Sequence, residues 1–106
     1  LKNAPIGFAF FDKQHRYLRI NDTLADINGI AVADHLGKTI EELLPQNAVS
    51  VGPMLDQVMT TALPVLNREL KGETPRQPGV IRHWLTGFYP VINEQTREVD
   101  SVGAVV

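Results

Sequence analysis

The chain has 106 residues, 10 basic and 12 acidic side chains for a formal charge of −2, and no cysteine. That length holds one domain and one core. The absence of thiols excludes disulfides, thiolate metal centres, iron–sulfur clusters and cysteine nucleophiles, and the even charge lacks the basic stripe of a nucleic-acid binder.

Hydrophobic residues make up 43% of the chain, which is the makeup of a folded domain. No apolar run approaches the roughly 20 residues of a membrane span, so no membrane contact is expected of this segment. The chain starts Leu-Lys-Asn, with neither an initiator Met nor a signal peptide. It reads as a segment of a longer protein, cytoplasmic on its own or as part of a membrane-anchored chain.

Gly7–Phe11 is apolar and aromatic and runs into Asp12-Lys13-Gln14-His15, a buried strand and a polar turn. In Arg16–Ile20, Leu18 and Ile20 alternate with Arg19, as in a strand with one wet face. The two segments predict a hairpin. Asn21 or Asp22 caps a short helix with Leu24, Ile27 and Ile30 on its buried side, and Gly29 stops it. Ala31–Lys38 is short and irregular or helical. Thr39-Ile40-Glu41-Glu42 is a capping-box pattern, completed by Leu43 and Leu44, and Pro45 discourages continuation.

The strongest helical pattern runs from Pro53 to Leu63. Pro53 suits a first helical position, and Ser50 reads as a cap. Met54, Leu55, Val58, Met59, Ala62 and Leu63 form one apolar face. Pro64 ends the helix. Val65–Leu70 is a strand closed by Lys71-Gly72, and Glu73–Gly79, with two prolines and a glycine, is a loop. Val80–Ile92 is a long strand in which Pro90 marks a bulge or an edge. A turn at Asn93–Thr96 leads to a last strand, Val99–Val106. The order β-β-α-α-α-β-β-β is of the α+β class: about five antiparallel strands with helices on one face.

Several local signatures then resemble a PAS domain. Pro5–Asp12 resembles the first PAS strand and its acidic turn. Tyr17-Leu18-Arg19-Ile20-Asn21, followed by Leu24 and Gly29, is similar to the pattern of an aromatic, an apolar residue, Asn and then Gly. Leu36-Gly37-Lys38-Thr39 looks like the turn before the short helix, and Trp84–Val91 and Val99–Val106 resemble the last two strands. The resemblance covers essentially the whole chain.

It implies a non-catalytic sensor module cut from a larger signalling protein of the bacterial type, with an effector fused after Val106, foremost a histidine kinase of a two-component system. A homodimer through the flanking segments is expected. The alternative is a ligand-free dimerisation module in a cyclic-di-nucleotide enzyme or a transcriptional regulator. A freestanding enzyme is the third reading, and no catalytic set supports it. Of the two serines, Ser50 reads as a cap and Ser101 as a strand residue.

The resemblance also bears on cofactors, of which none is assigned. In haem-binding relatives the axial histidine lies on the long helix, whereas the histidines here are His15 in a turn, His35 in a polar inter-helix segment and His83 on a strand. Haem is therefore not expected. A cysteinyl–flavin adduct is excluded by composition. Asp12 with His15, and Asp34 with His35, fall short of a metal ligand set.

In the family the cavity lies between sheet and helices. By resemblance the inward set is Trp84, Thr86 and Phe88 on the long strand, and Ser101, Gly103 and Val105 on the last. Met54 and Val58 would line it from the helix. Asn67 or Arg68 would add a polar contact, Arg68 suiting a carboxylate. Such a set fits a small apolar or aromatic ligand. It equally fits a plain core in which Trp84 and Phe88 fill space and the hydroxyls bond to backbone. Arg16, Arg19, Arg82 and Arg97 are expected on the other face of the sheet or its rim. Asn21 is read mechanically, its amide tying the hairpin to the next helix.

Overall fold

The computed structural model describes residues 6–106, so Pro5 of the opening motif lies outside the described residues. The strands are β1 Phe8–Phe11, β2 Tyr17–Ile20, β3 Val65–Gly72, β4 Arg82–Ile92 and β5 Val99–Val105. Between β2 and β3 come α1 Asp22–Asn28, α2 Val32–His35, α3 Ile40–Leu43 and α4 Pro45–Thr61. The sheet is antiparallel throughout, in the order β2-β1-β5-β4-β3. The helices cover one face, and a single apolar cluster fills the space between.

Local chemistry explains the joints. In the β1–β2 turn the Asp12 carboxylate accepts the amides of Gln14 and Arg16, each at 2.9 Å. Asn21 then makes three bonds. Its Oδ1 accepts the Leu24 amide, capping α1, and the Phe8 amide, both at 3.1 Å. Its Nδ2 donates to the Ile6 carbonyl at 2.8 Å. The mechanical reading of Asn21 therefore holds, and it extends back to the approach to β1. Gly29 ends α1 at φ 77°, with the backbone of Arg76 packed where a Cβ would stand. The full capping box is present at α3: the Glu42 amide donates to Thr39 Oγ1 at 3.1 Å, and the Thr39 amide to Glu42 Oε1 at 3.0 Å.

The long helix differs from expectation. It starts at Pro45, eight residues before Pro53, and Ser50 lies inside it. A proline that cannot continue α3 is also well suited to open the next helix, because its missing N–H would have no partner there. Pro53 sits in the helix interior at an exposed position, and Val49, whose carbonyl loses its partner there, is exposed as well. The buried stripe is Ala48, Val51, Gly52, Leu55 and Val58. Met54 and Met59 are half-buried, while Ala62 and Leu63 are exposed. Ala62, left-handed at φ 58°, ends the helix before Pro64.

The meander is as expected in outline. β3 reaches Gly72, with a bulge at Asn67 (φ 55°), and β4 starts two residues later than expected, at Arg82. β3 pairing ends with Val65 opposite Phe88, so at Pro90 the strand β4 has only β5 beside it. The register slips only beyond Val91, before Ile92. The edge reading of Pro90 is met locally, while the bulge falls further along the strand.

The facing of β5 needs correction. Phe88 pairs with Ala104 and Phe11 with Val102, so Val102, Ala104 and Val106 face the helices. Ser101, Gly103 and Val105 lie on the outer face beside Phe10, Tyr89 and Val91. Of the four arginines assigned to that face or its rim, Arg19 is there, 5.8 Å from the Phe10 ring centre. Arg16 donates to the Gly37 carbonyl, Arg82 stands over Trp84 on the helix side, and Arg97 occupies the β4–β5 turn.

Candidate functional site

A cavity of about 70 Å³ lies between the sheet and the helices. Its sheet wall is Phe11, Leu70, Trp84, Thr86, Phe88, Ala104 and Val106. Its helix wall is Leu24, Ile27 and Asn28 from α1, Ile40 from α3, and Leu44, Asn47 and Val51 around α4, with Tyr17 of β2 at the side. These walls are almost wholly apolar, as in small-molecule sites generally.

The expected site residues divide. Trp84, Thr86 and Phe88 line the cavity together. Val58 is fully buried and Met54 half-buried in the neighbouring core, and neither lines it. Ser101 is buried on the outer side of β5. Arg68 pairs with Thr86 on β3, but it is exposed and does not line the cavity; its carbonyl accepts the Thr86 hydroxyl at 3.1 Å. The cavity thus has no cation for a carboxylate. Tyr17, Asn28 and Asn47 line it without having been expected there. Asn28 carried a signal of sorts, one residue before the Gly29 stop and close to the buried positions of α1. Asn47 fell ahead of the expected helix start.

Behind one wall runs a buried polar chain. His35, expected in a polar segment, is fully buried on α2. A carbonyl can only accept, so His35 Nδ1–H donates to Ala31 O at 2.9 Å. Nε2 then accepts from Asn28 Nδ2 at 3.1 Å. The Asn28 side chain also meets the Tyr17 hydroxyl. Burial lowers the His35 pKa, opposed by the Ala31 bond and the charge of Asp34, and the ring stays neutral. Burial pushes the Tyr17 phenol up, outweighing its bond to Asn28. The Tyr17 and His35 rings meet edge to face at 4.9 Å, and Tyr17 also packs on Phe11 at 4.5 Å.

Among the described residues two buried side-chain donors have no partner, Trp84 Nε1 and Thr74 Oγ1. Trp84 lines the cavity. Thr74 lines an adjoining recess of about 220 Å³ between Leu43–Asn47 and the β3–β4 loop, which shares Leu44 and Asn47 with the cavity.

A second cluster lies outside the cavity. His15 Nδ1 is 2.7 Å from Glu41 Oε2, and its Nε2 is 2.7 Å from Asp56 Oδ1. Burial lowers the His15 pKa, but the hydrogen bonds and charges of the two carboxylates outweigh it and raise the value. The nitrogens of His15 and His35 are thus engaged with Glu41, Asp56, Asn28 and Ala31 rather than with their sequence neighbours Asp12 and Asp34.

A family model described as "PAS fold" matches residues 1–106, and the chain belongs to this family. Among solved structures, the chain is similar to a sensory box sensor histidine kinase from Vibrio cholerae, with a TM-score of 0.76 and 14% identity over 99% of this chain and 82% of that one. The PAS domain of the histidine kinase ThkA matches with a TM-score of 0.71 and 19% identity, over 95% of this chain and 97% of that one. VqmA bound to DPO matches with a TM-score of 0.79 and 16% identity, and the chain covers 52% of VqmA while 98% of the chain is matched. At such identities the likeness is one of fold. No curated protein sequence matches the chain. Among the described residues no helix is long and apolar enough to cross a membrane.

Proposed function

We propose that the chain is a ligand-sensing PAS module of a signalling protein: a small molecule held in the cavity biases the position of β5 and so governs an effector joined beyond Val106. The observation that carries this reading is the position of Val106. It lines the cavity and also exchanges two backbone hydrogen bonds with Gly7, at 2.8 and 3.2 Å. A ligand touching Val106 therefore acts where the two ends of the fold meet. The shift is one of populations: a ligand that prefers one arrangement of this wall draws the domain toward it. The effector we favour is a histidine kinase, in a bacterial, cytoplasmic setting, with the module paired as a homodimer through its flanks. The domain itself performs no catalysis in this reading.

Native mass spectrometry of the purified domain, joined to amide hydrogen exchange, tests it. A bound small molecule that slows exchange at Gly7 and Val106 supports the reading. A bound molecule that leaves both amides unchanged removes the coupling.

One observation favours the second reading, a dimerisation module. The outer sheet face exposes Leu85, Tyr89, Val91 and Val105. Tyr89→Glu would then weaken self-association in sedimentation without altering the cavity.

A further inference from the structure

Three features of the cavity wall restrict what it can hold. No charged side chain lines it, and its one titratable group, Tyr17, is held neutral by burial. A charged ligand would be desolvated there with nothing to compensate it. Next, the polar groups on the wall are mostly committed: Thr86 to the Arg68 carbonyl, Asn47 Nδ2 to the Glu73 carbonyl at 3.2 Å, and Asn28 to His35 and Tyr17. Trp84 Nε1 is the buried side-chain donor on this wall that has no partner. An indole N–H only donates. Last, the cavity is small. An apolar cavity of roughly 150 Å³ holds benzene, and this one measures about 70 Å³, with further space beyond Leu44 and Asn47.

We propose that the cavity recognises a small neutral molecule with a compact apolar body and one hydrogen-bond acceptor, such as a carbonyl oxygen or a ring nitrogen, placed to take the Trp84 indole N–H. This rests on the ligand-sensing reading above and names the class of ligand. Phe88, Val51 and Leu44 enclose the body, and Trp84 orients it. Carboxylates and ammonium compounds are refused, because no basic and no acidic side chain lines the cavity. Bare hydrocarbons fit by shape but leave the indole unpaired, and a buried donor left unpaired is costly.

The chain holds a single tryptophan, so its indole N–H gives one resonance. The ¹⁵N-labelled domain is titrated with cyclobutanone, methylenecyclobutane and cyclobutanecarboxylate. The first two share a shape and differ in the acceptor, and the third adds a charge. The expected result is a downfield shift of the indole proton with the ketone alone. The ketone binds about tenfold tighter than the hydrocarbon, the factor for one hydrogen bond to a group otherwise unpaired. Trp84→Phe keeps an aromatic wall and abolishes that preference, with the hydrocarbon still bound. Equal binding of ketone and hydrocarbon, or an unmoved indole while Thr86 and Val106 resonances shift, overturns the inference and leaves ligand sensing standing. Tightest binding of the carboxylate overturns neutrality. Silence of every cavity resonance toward all three compounds overturns both the inference and the ligand-sensing reading.

Discussion

His15 Nε2 stands 2.7 Å from Asp56 Oδ1, a contact that spans 41 residues and ties the β1–β2 turn to the middle of α4. The other ring nitrogen reaches Glu41 at the same distance, so the turn is bound to α3 as well. A neutral imidazole has one N–H, and only the imidazolium donates to both carboxylates. The folded pKa is raised above 6.5 for this reason. This contribution to stability is full below pH 6.5 and is lost as the pH rises through the folded value. Because Glu41 and Asp56 are largely exposed, solvent screening limits the effect to about 1 kcal/mol or less. His15→Gln should lower the melting temperature at pH 6 more than at pH 8.5. A deficit that does not change with pH would show that the bridge carries no charge.

His35 has the opposite sign. Its folded pKa lies below 6.5, so its contribution is full above pH 6.5 and is lost as the pH falls toward the folded value. The two histidines together predict a stability maximum near pH 6.5. Proton NMR titration with assigned rings should separate them, with His15 titrating above 6.5 and His35 below. The His15 and His35 rings titrating together would refute the assignment.

Thr39→Ala removes the acceptor for the Glu42 amide and should cost about 1 kcal/mol. In a domain of this size that is a fall of about 5 °C in melting temperature. The bonds from the Thr39 backbone and side chain hold the Glu42 carboxyl below 4.5. Its share of the box is present above pH 4.5 and fades as the pH falls through the folded value. Thermal melts at pH 7 and pH 3 check both points, and the difference between variant and parent should shrink in acid.

Asn21 allows a graded test. Asn21→Asp keeps the acceptor for Leu24 and Phe8 and loses the donor to Ile6, whereas Asn21→Ala loses all three bonds. The alanine variant should be destabilised by about 2 kcal/mol, the upper end for a cap, and the aspartate variant by less. Urea unfolding gives the order. An aspartate variant as unstable as the alanine one would place the weight on the Ile6 bond.

Ala104→Val puts two methyl groups into the cavity from its sheet wall. Binding in the cavity should fall at least tenfold, the order expected when about 1.4 kcal/mol of fit is lost. Arg68→Ala and Ser101→Ala, at positions that do not line the cavity, should leave binding unchanged. Isothermal titration with cyclobutanone separates these outcomes. An effect at Arg68 as large as that at Ala104 would put the ligand elsewhere.

Features that depend on neighbours in the chain were legible in the residues. The Thr39–Glu42 box, the Asn21 cap, the Gly29 stop and the Asp12 turn each close a bond within a few positions. The strands of the hairpin and meander were legible from their apolar runs and the turn residues between them. The start of α4 was not, because Pro45 satisfies two rules at once: it stops one helix and opens the next.

The tertiary structure alone decided which face of β5 looks inward. Val99–Val105 lies between β1 and β4 and is buried on both sides over Ser101–Ala104, so small and apolar residues fill both faces and no alternation marks the inner one. Pairing with Phe11 and Phe88 resolves it, placing Ala104 and Val106 in the cavity and Ser101 outside. The meeting of His15 with Glu41 and Asp56 is of the same kind. Charge and residue type were visible at each position, but a contact across 26 or 41 residues exists only after the helices have packed on the sheet.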